Sequence, residues 1–190
     1  MGTRSEETAR FSRRTVLEAG AAGAAALGVL GLGAGLSEAQ AQVPPAQGQG
    51  PTITRPSVSL AAAKALIEAA EAASVRQGIP NNITVVDIDG RLKAFHSMDG
   101  AVPLTVTVSY NKAYTSATFG VATHEFAQAV SGNPGLLASV ANIPNMALIG
   151  GGFPLKVGGV VVGGFGVSGQ GTPDQDIDVA QAALAAAWNF

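Results

Sequence analysis

The chain has 190 residues, the size of one ordinary domain of roughly 100–200 residues, and its 11 basic and 13 acidic residues leave a formal charge of −2. This balance excludes binding to nucleic acid or anionic lipid through bulk charge. Because cysteine is absent, disulfides, thiolate metal sites and cysteine nucleophiles are excluded as well. Hydrophobic residues make up 47% but aromatic residues only 5%, and there are 25 glycines. The composition therefore predicts a core of small aliphatic side chains between tight turns.

The first 41 residues have the organisation of an export signal. Arg13 and Arg14 precede an uncharged run over residues 19–36, and Ala39-Gln40-Ala41 follows as a small-residue cleavage site. The paired arginines resemble a twin-arginine signal, although Glu18 departs from the usual lysine. The alternative is a single transmembrane anchor, since the apolar run approaches the length of a membrane span. We expect cleavage near Ala41, a periplasmic or secreted product, and no stable membrane anchor afterwards.

Residues 42–56 have the composition of a flexible linker, and residues 57–190 are predicted to form the domain. Apolar residues recur every three to four positions after Ser59, which predicts a helix that Ser59 caps and Gly78 ends. Asp89-Gly90 between two apolar runs predicts a β-hairpin over residues 83–98. A helix is expected over 104–119.

The second half of the domain begins with two short predicted helices, over 123–130 and 134–140. Short apolar runs separated by glycine then predict three strands of a β-meander, at 146–149, 153–157 and 160–167. Thr172 opens a capping box that predicts a last helix. The order of elements predicts an α+β sandwich in which helices cover a five-stranded, largely antiparallel sheet.

Sequence motifs for catalysis are weak. Residues 164–169 match G-x-G-x-x-G, but no further strand follows the helix behind it, so glycine packing is favoured over a dinucleotide site. G-x-S-x-G is absent, so there is no nucleophile elbow. The sequence therefore favours a binding protein and leaves the question of enzyme activity open.

A few side chains could bind a ligand or a metal ion. His96 and His124 are the only histidines and hence candidate metal ligands, although either could be an ordinary exposed or hydrogen-bonded residue. His124 is the better candidate because it begins a short predicted helix near an expected groove. Lys112 and Thr115 share a helix face and could offer a cation and a hydroxyl to a carboxylate. The alternative is a solvated lysine and a threonine turned towards its own helix.

Several separate motifs occur in order between Ser59 and Trp188: Val85–Leu92, Met98–Ala101, Lys112–Ser116, Phe119-Gly120, Gly150–Leu155, Val162–Gly169 and Asp174–Asp176. By these motifs the chain resembles the GlcG/HbpS family, which includes the C-terminal domain of PduO proteins. The resemblance implies a profilin-like sandwich that assembles as a homo-oligomer and binds haem non-covalently. Some haem-binding members are exported, as this chain is expected to be.

The function implied is that of an exported oligomeric haem-binding protein acting in haem capture, storage or sensing. Sensing would involve a sensor-kinase partner. The alternative follows the glycolate-linked branch of the family: binding or processing of a small organic acid or aromatic metabolite, or a role as an enzyme accessory.

The resemblance also implies where the groove lies. The matching positions expected to line or shape it are Lys112, Thr115, Gly150, Gly151, Gly152 and Pro154, and His124 is added on chemical grounds alone. Ser97 stands where the family often has arginine, and residues 121–125 lack the basic residue common after the Phe-Gly pair. The first departure removes one charge that could pair with a haem propionate.

Overall fold

The computed structural model describes Pro51 and residues 53–190. The expected signal peptide at 1–41 and most of the expected linker at 42–56 lie outside the described residues. The elements, in chain order, are α1 (Leu60–Gln77), β1 (Asn81–Asp87), β2 (Leu92–Ser97), α2 (Leu104–Phe119), α3 (Thr123–Ser131), α4 (Pro134–Ala141), β3 (Gly152–Val157), β4 (Val160–Gly169) and α5 (Pro173–Ala187).

Local sequence signals determine where the two long outer helices begin and end. The Ser59 hydroxyl accepts a hydrogen bond from the backbone N–H of Ala62 at the start of α1, and Gly78 ends that helix in the left-handed conformation at φ 69°. At α5, the Thr172 side chain accepts from the N–H of Gln175 and the Gln175 side chain accepts from the N–H of Thr172. This reciprocal capping box was predicted from the sequence and is confirmed.

The sheet has four strands in the order β2-β1-β4-β3, and every neighbouring pair is antiparallel. The predicted α+β architecture is confirmed, but with four strands instead of five. Residues 146–149 do not form a strand. The N–H of Ala147 donates to the hydroxyl of Thr115 on α2, while Met146 and Leu148 pack against the cluster formed by α3 and α4. Because its backbone and side chains are engaged by helices, this segment crosses the end of the sheet without joining it.

Helices cover the two faces of the sheet in different ways. Side chains alternate between faces along each strand, so Ile83 and Val85 of β1 and Phe165 of β4 join α1 and α5 in the main apolar core. On the other face α2 packs across β1, β4 and β3. There the buried contacts are partly polar, and the hydroxyls of Thr84 and Ser109 lie 2.8 Å apart.

Glycines allow α2 to approach the sheet closely. A Cβ atom added to Gly164 would collide with the carbonyl oxygen of Ala113, and one added to Gly166 would collide with that of Ser109. The first two glycines of the G-x-G-x-x-G match thus face a helix backbone instead of a phosphate, and a Cβ on the third, Gly169, would collide with the side chain of Asn81. The structure supports the packing interpretation of this motif.

Within the described residues, none of the helices combines the length and the apolar character needed to span a bilayer.

Candidate functional site

Lys112 lies on the sheet-facing side of α2 and is fully enclosed. Its ammonium donates to the carboxylate of Asp176 at 2.6 Å, to the carbonyl of Val167 at 2.9 Å and to the hydroxyl of Ser168 at 3.4 Å. The second oxygen of Asp176 accepts from the N–H of Gly169 at 3.1 Å. The pair therefore joins α2, the end of β4 and the first turn of α5.

Burial dominates the electrostatics of this pair. Desolvation lowers the pKa of Lys112, and the attraction of Asp176 opposes that shift. Desolvation raises the pKa of Asp176, and the charge of Lys112 opposes that shift. Removing one partner of such a pair leaves an uncompensated buried charge, which costs about 3–5 kcal/mol of the free energy of unfolding. The prediction that the Lys112 ammonium binds a ligand carboxylate is therefore wrong for this structure, because the ammonium is enclosed and paired with Asp176.

Two threonines hold the segment that crosses the end of the sheet, Asn145–Gly152. Near its start, the hydroxyl of Thr115 accepts from the N–H of Ala147 at 2.9 Å and lies 3.5 Å from the carbonyl of Asn145. At its end, the hydroxyl of Thr123 accepts from the N–H of Gly152 at 3.0 Å. Both hydroxyls are buried. Thr115 thus has a clear role in shaping the segment, and Thr123, which sequence reasoning missed, has a matching one.

Three successive glycines let this segment pass over the ion pair. Gly151 has φ 109°, and a Cβ there would lie 2.7 Å from the carbonyl of Val167 and 3.0 Å from the ammonium of Lys112. A Cβ on Gly150 would lie 2.6 Å from Ile177, and one on Gly152 would lie 2.5 Å from the carbonyl of Lys112. Only glycine fits these approaches without a shift of the surroundings.

Pro154 is half-buried in the edge strand β3, where it pairs with Gly164 of β4. It lies on the sheet face that α2 covers, because side chains paired across two strands point to the same face. Its predicted part in shaping a ligand groove stays a prediction.

His124 is half-buried in the first turn of α3. Its ring centre lies 5.8 Å from that of Phe153, with the ring planes inclined at 58°. The Nδ1 atom is enclosed and has no hydrogen-bond partner among the described residues. Enclosed at Nδ1 and close to an aromatic ring, this imidazole has the surroundings of a side chain that could contact an apolar ligand.

His96 has a different environment. It lies on β2 with about half of its side chain exposed, and its Nδ1 is 2.8 Å from a carboxylate oxygen of Glu71 on α1. β2 and β3 are the two outer strands of the sheet, about 14 Å apart at the usual strand spacing. Since His124 packs beside β3, the two histidines do not share a metal ion within one chain. Across the described residues, no three His, Cys, Asp or Glu side chains form a group that could hold a metal ion.

The apolar side chains around α3 are divided between a small buried cluster and exposed positions. Phe126, Val130 and Val140 form a small buried cluster, and the rings of Phe119 and Phe126 stack at 4.2 Å. Along the chain from the end of α2 to the start of β3, four large apolar side chains nevertheless remain exposed: Phe119, Leu137, Ile143 and Ile149. Exposed side chains of this kind are available for contact with an apolar ligand or a protein partner.

Comparison with known proteins gives one family. The family model described as haem degrading protein HbpS-like matches residues 58–185. An uncharacterised 15.0 kDa protein from the dhaT-dhaS intergenic region of Citrobacter freundii is 37% identical over 128 residues, which cover 67% of this chain and 89% of that protein.

Solved structures agree with that match. A double mutant of HbpS from Streptomyces reticuli has a TM-score of 0.66 and 28% identity, covering 74% of this chain and 94% of its own. The haem complex of PduOC has a TM-score of 0.64 and 29% identity, covering 68% of this chain and 94% of its own.

Proposed function

The chain belongs to the family described as haem degrading, HbpS-like proteins, and from that membership we propose that it is an exported, oligomeric haem-binding protein acting in haem capture, storage or sensing. The observation that carries the proposal is the likeness to the haem complex of PduOC, which extends over 94% of that chain. A likeness of this extent makes it reasonable to expect a related ligand site here.

The residues around α3 fit a non-covalently held haem. The porphyrin is a large apolar plate, and Phe119, Ile143 and Ile149 are exposed apolar side chains from this part of the chain that could contact it. His124 supplies an imidazole beside Phe153, and imidazole is a common axial ligand of haem iron. When bound, the haem would supply a redox-active iron.

One feature of His124 differs from the usual arrangement of an iron-binding histidine. The second ring nitrogen of such a residue normally donates to a carboxylate or a carbonyl, which fixes the orientation of the ring. In His124 the Nδ1 atom is enclosed without a partner. Phe153 and the fold of α3 would therefore have to hold the ring by packing alone, and we expect a weaker iron bond than that of a carboxylate-oriented histidine.

The organic-acid alternative follows the glycolate-linked branch of the family and places the ligand near Lys112. In the structure its ammonium is bound by Asp176 and enclosed. Lys112 is therefore not available to pair with the carboxylate of a small metabolite.

A hemin titration followed by absorbance tests the haem proposal. We expect saturable binding to the wild-type protein with a shifted Soret band, loss of that band position in His124→Ala, and retention in His96→Ala, the matched control at the opposite edge of the sheet. Weak, unsaturating absorbance changes that are equal in all three proteins would refute haem binding. Bleaching of the bound Soret band after addition of a reductant in the presence of dioxygen would extend the function from binding to oxidative degradation.

Export and assembly need separate measurements. N-terminal sequencing of the product from the cell envelope or medium should begin near Gln42, and Arg13→Lys with Arg14→Lys should retain the protein in the cytoplasm. Light scattering should give a mass of at least two chains. A sensing role further requires a sensor kinase whose autophosphorylation responds to the hemin-loaded protein but not to hemin alone.

A further inference from the structure

The buried ion pair of Lys112 and Asp176 does more than connect elements of the core. A buried ion pair is a poor means of stabilising a fold, since apolar side chains of similar volume often stabilise it equally well. What the pair adds is a set of directional hydrogen bonds that join three elements of the fold. Three hydrogen bonds fix the Lys112 ammonium to Val167, Ser168 and Asp176, so the end of β4 and the first turn of α5 are both tied to α2 at the same atom.

The segment Asn145–Gly152 rests directly on that fixed position. A Cβ on Gly151 would be 2.8 Å from the Cβ of Asp176 and 3.0 Å from the Lys112 ammonium, so the backbone of Gly151 is in contact with both partners. The N–H of Val167 also donates to the carbonyl of Gly151 at 3.0 Å. The same residue whose carbonyl binds Lys112 therefore holds the segment.

Gly152 connects the ion pair to α3. Gly152 packs against the carbonyl of Lys112 on one side and donates its N–H to the hydroxyl of Thr123 on the other. Thr123 immediately precedes His124. A change in the position of Lys112 or Asp176 would thus be passed through two glycines to the first turn of α3.

We propose that Lys112 and Asp176 are positioning residues for the haem site: they hold Asn145–Gly152 against the end of the sheet and, through Gly152 and Thr123, fix the place of His124. The haem-binding part of this inference rests on the proposed function. The part that concerns the position of Asn145–Gly152 does not depend on haem binding.

The test uses the full chain with Lys112→Met and Asp176→Asn combined. The double variant removes both charges and leaves no unpaired buried ion, and the asparagine can still accept from the N–H of Gly169. We expect its denaturation midpoint to stay near that of the wild type. Amide hydrogen exchange of peptides covering 145–153 should become at least tenfold faster, hemin affinity should fall at least tenfold, and the Soret maximum should move.

Val179→Ala is the matched control. Val179 lies on α5 in the main core and is not among the partners of the ion pair. This variant should lower the denaturation midpoint but leave exchange of 145–153 and hemin affinity unchanged under conditions where it is fully folded. Wild-type exchange rates in the double variant, or equal acceleration in Val179→Ala, would overturn the positioning role. Absence of saturable hemin binding by the wild type would refute the proposed function instead, and the exchange measurement would still decide the inference.

Discussion

Substitution of Gly166 by alanine tests whether the close packing of α2 on β4 requires a residue without a side chain at this position. The new methyl group would collide with the carbonyl of Ser109 and lie 2.7 Å from the backbone nitrogen of Ala113. Ordinary contacts of a carbon atom begin near 3.5 Å, so α2 would have to move away from β4 by about 1 Å. Overpacking costs typically 1–3 kcal/mol. We expect about 3 kcal/mol, because the obstacle is helix backbone that no rotamer change can move.

Urea denaturation followed by circular dichroism measures this effect. A loss of 3 kcal/mol lowers the ratio of folded to unfolded protein about a hundredfold and lowers the melting temperature by about 10 °C for a domain of this size. Gly132→Ala is the control, since Gly132 has φ −72° and open space around it, and this change should be neutral or slightly stabilising. A Gly166→Ala protein within 0.5 kcal/mol of the wild type would refute the close-packing argument.

Two further predictions concern the buried polar groups. Thr123→Val should cost about 1–3 kcal/mol because it leaves the N–H of Gly152 buried without an acceptor, whereas Thr123→Ser should retain most of the stability; equal unfolding free energies for the two variants would contradict this. Burial raises the pKa of Asp176 above the ordinary 3.8, so the folded state binds this proton more readily than the unfolded state. The contribution of Asp176 to the unfolding free energy should therefore fall as the pH rises from about 3.8 through the raised pKa. The difference between the pH profiles of wild type and Asp176→Asn measures it, and a difference that grows with pH would contradict the sign.

The parts of the fold that were predicted correctly depend on neighbours in the sequence. Ser59 and Gly78 delimit α1, and the Thr172 capping box begins α5, because each cap bonds to residues only three or four positions away. The strand expected at 146–149 was wrong, since a short apolar run alone does not reveal its partners. Its partners are Thr115 and the cluster of α3 and α4, which the sequence does not identify.

In the candidate site, too, the contacts that the sequence did not predict join residues that are far apart in the chain. Lys112 is a candidate site residue from the sequence, whereas Asp176 appears there only as the end of a family motif, and nothing local pairs two residues that are 64 positions apart. The sequence of α2 alone does not show which of its polar residues are buried, because their burial depends on the close approach of α2 to the glycines of β4. The predicted ligand role of His124 stays a prediction, and the titration above decides it.

The order of the strands has a consequence for how the protein folds. β1 is central in the sheet, yet one of its two neighbours is β4, so that residue 81 pairs with residue 169. The hairpin of β1 and β2 can form locally, but nothing can complete the sheet until the chain is synthesised almost to the last helix. Pairings this distant slow folding towards milliseconds or seconds. A partly synthesised chain therefore exposes the inner edge of β1, and we expect it to depend on protection from chaperones until β4 has been made.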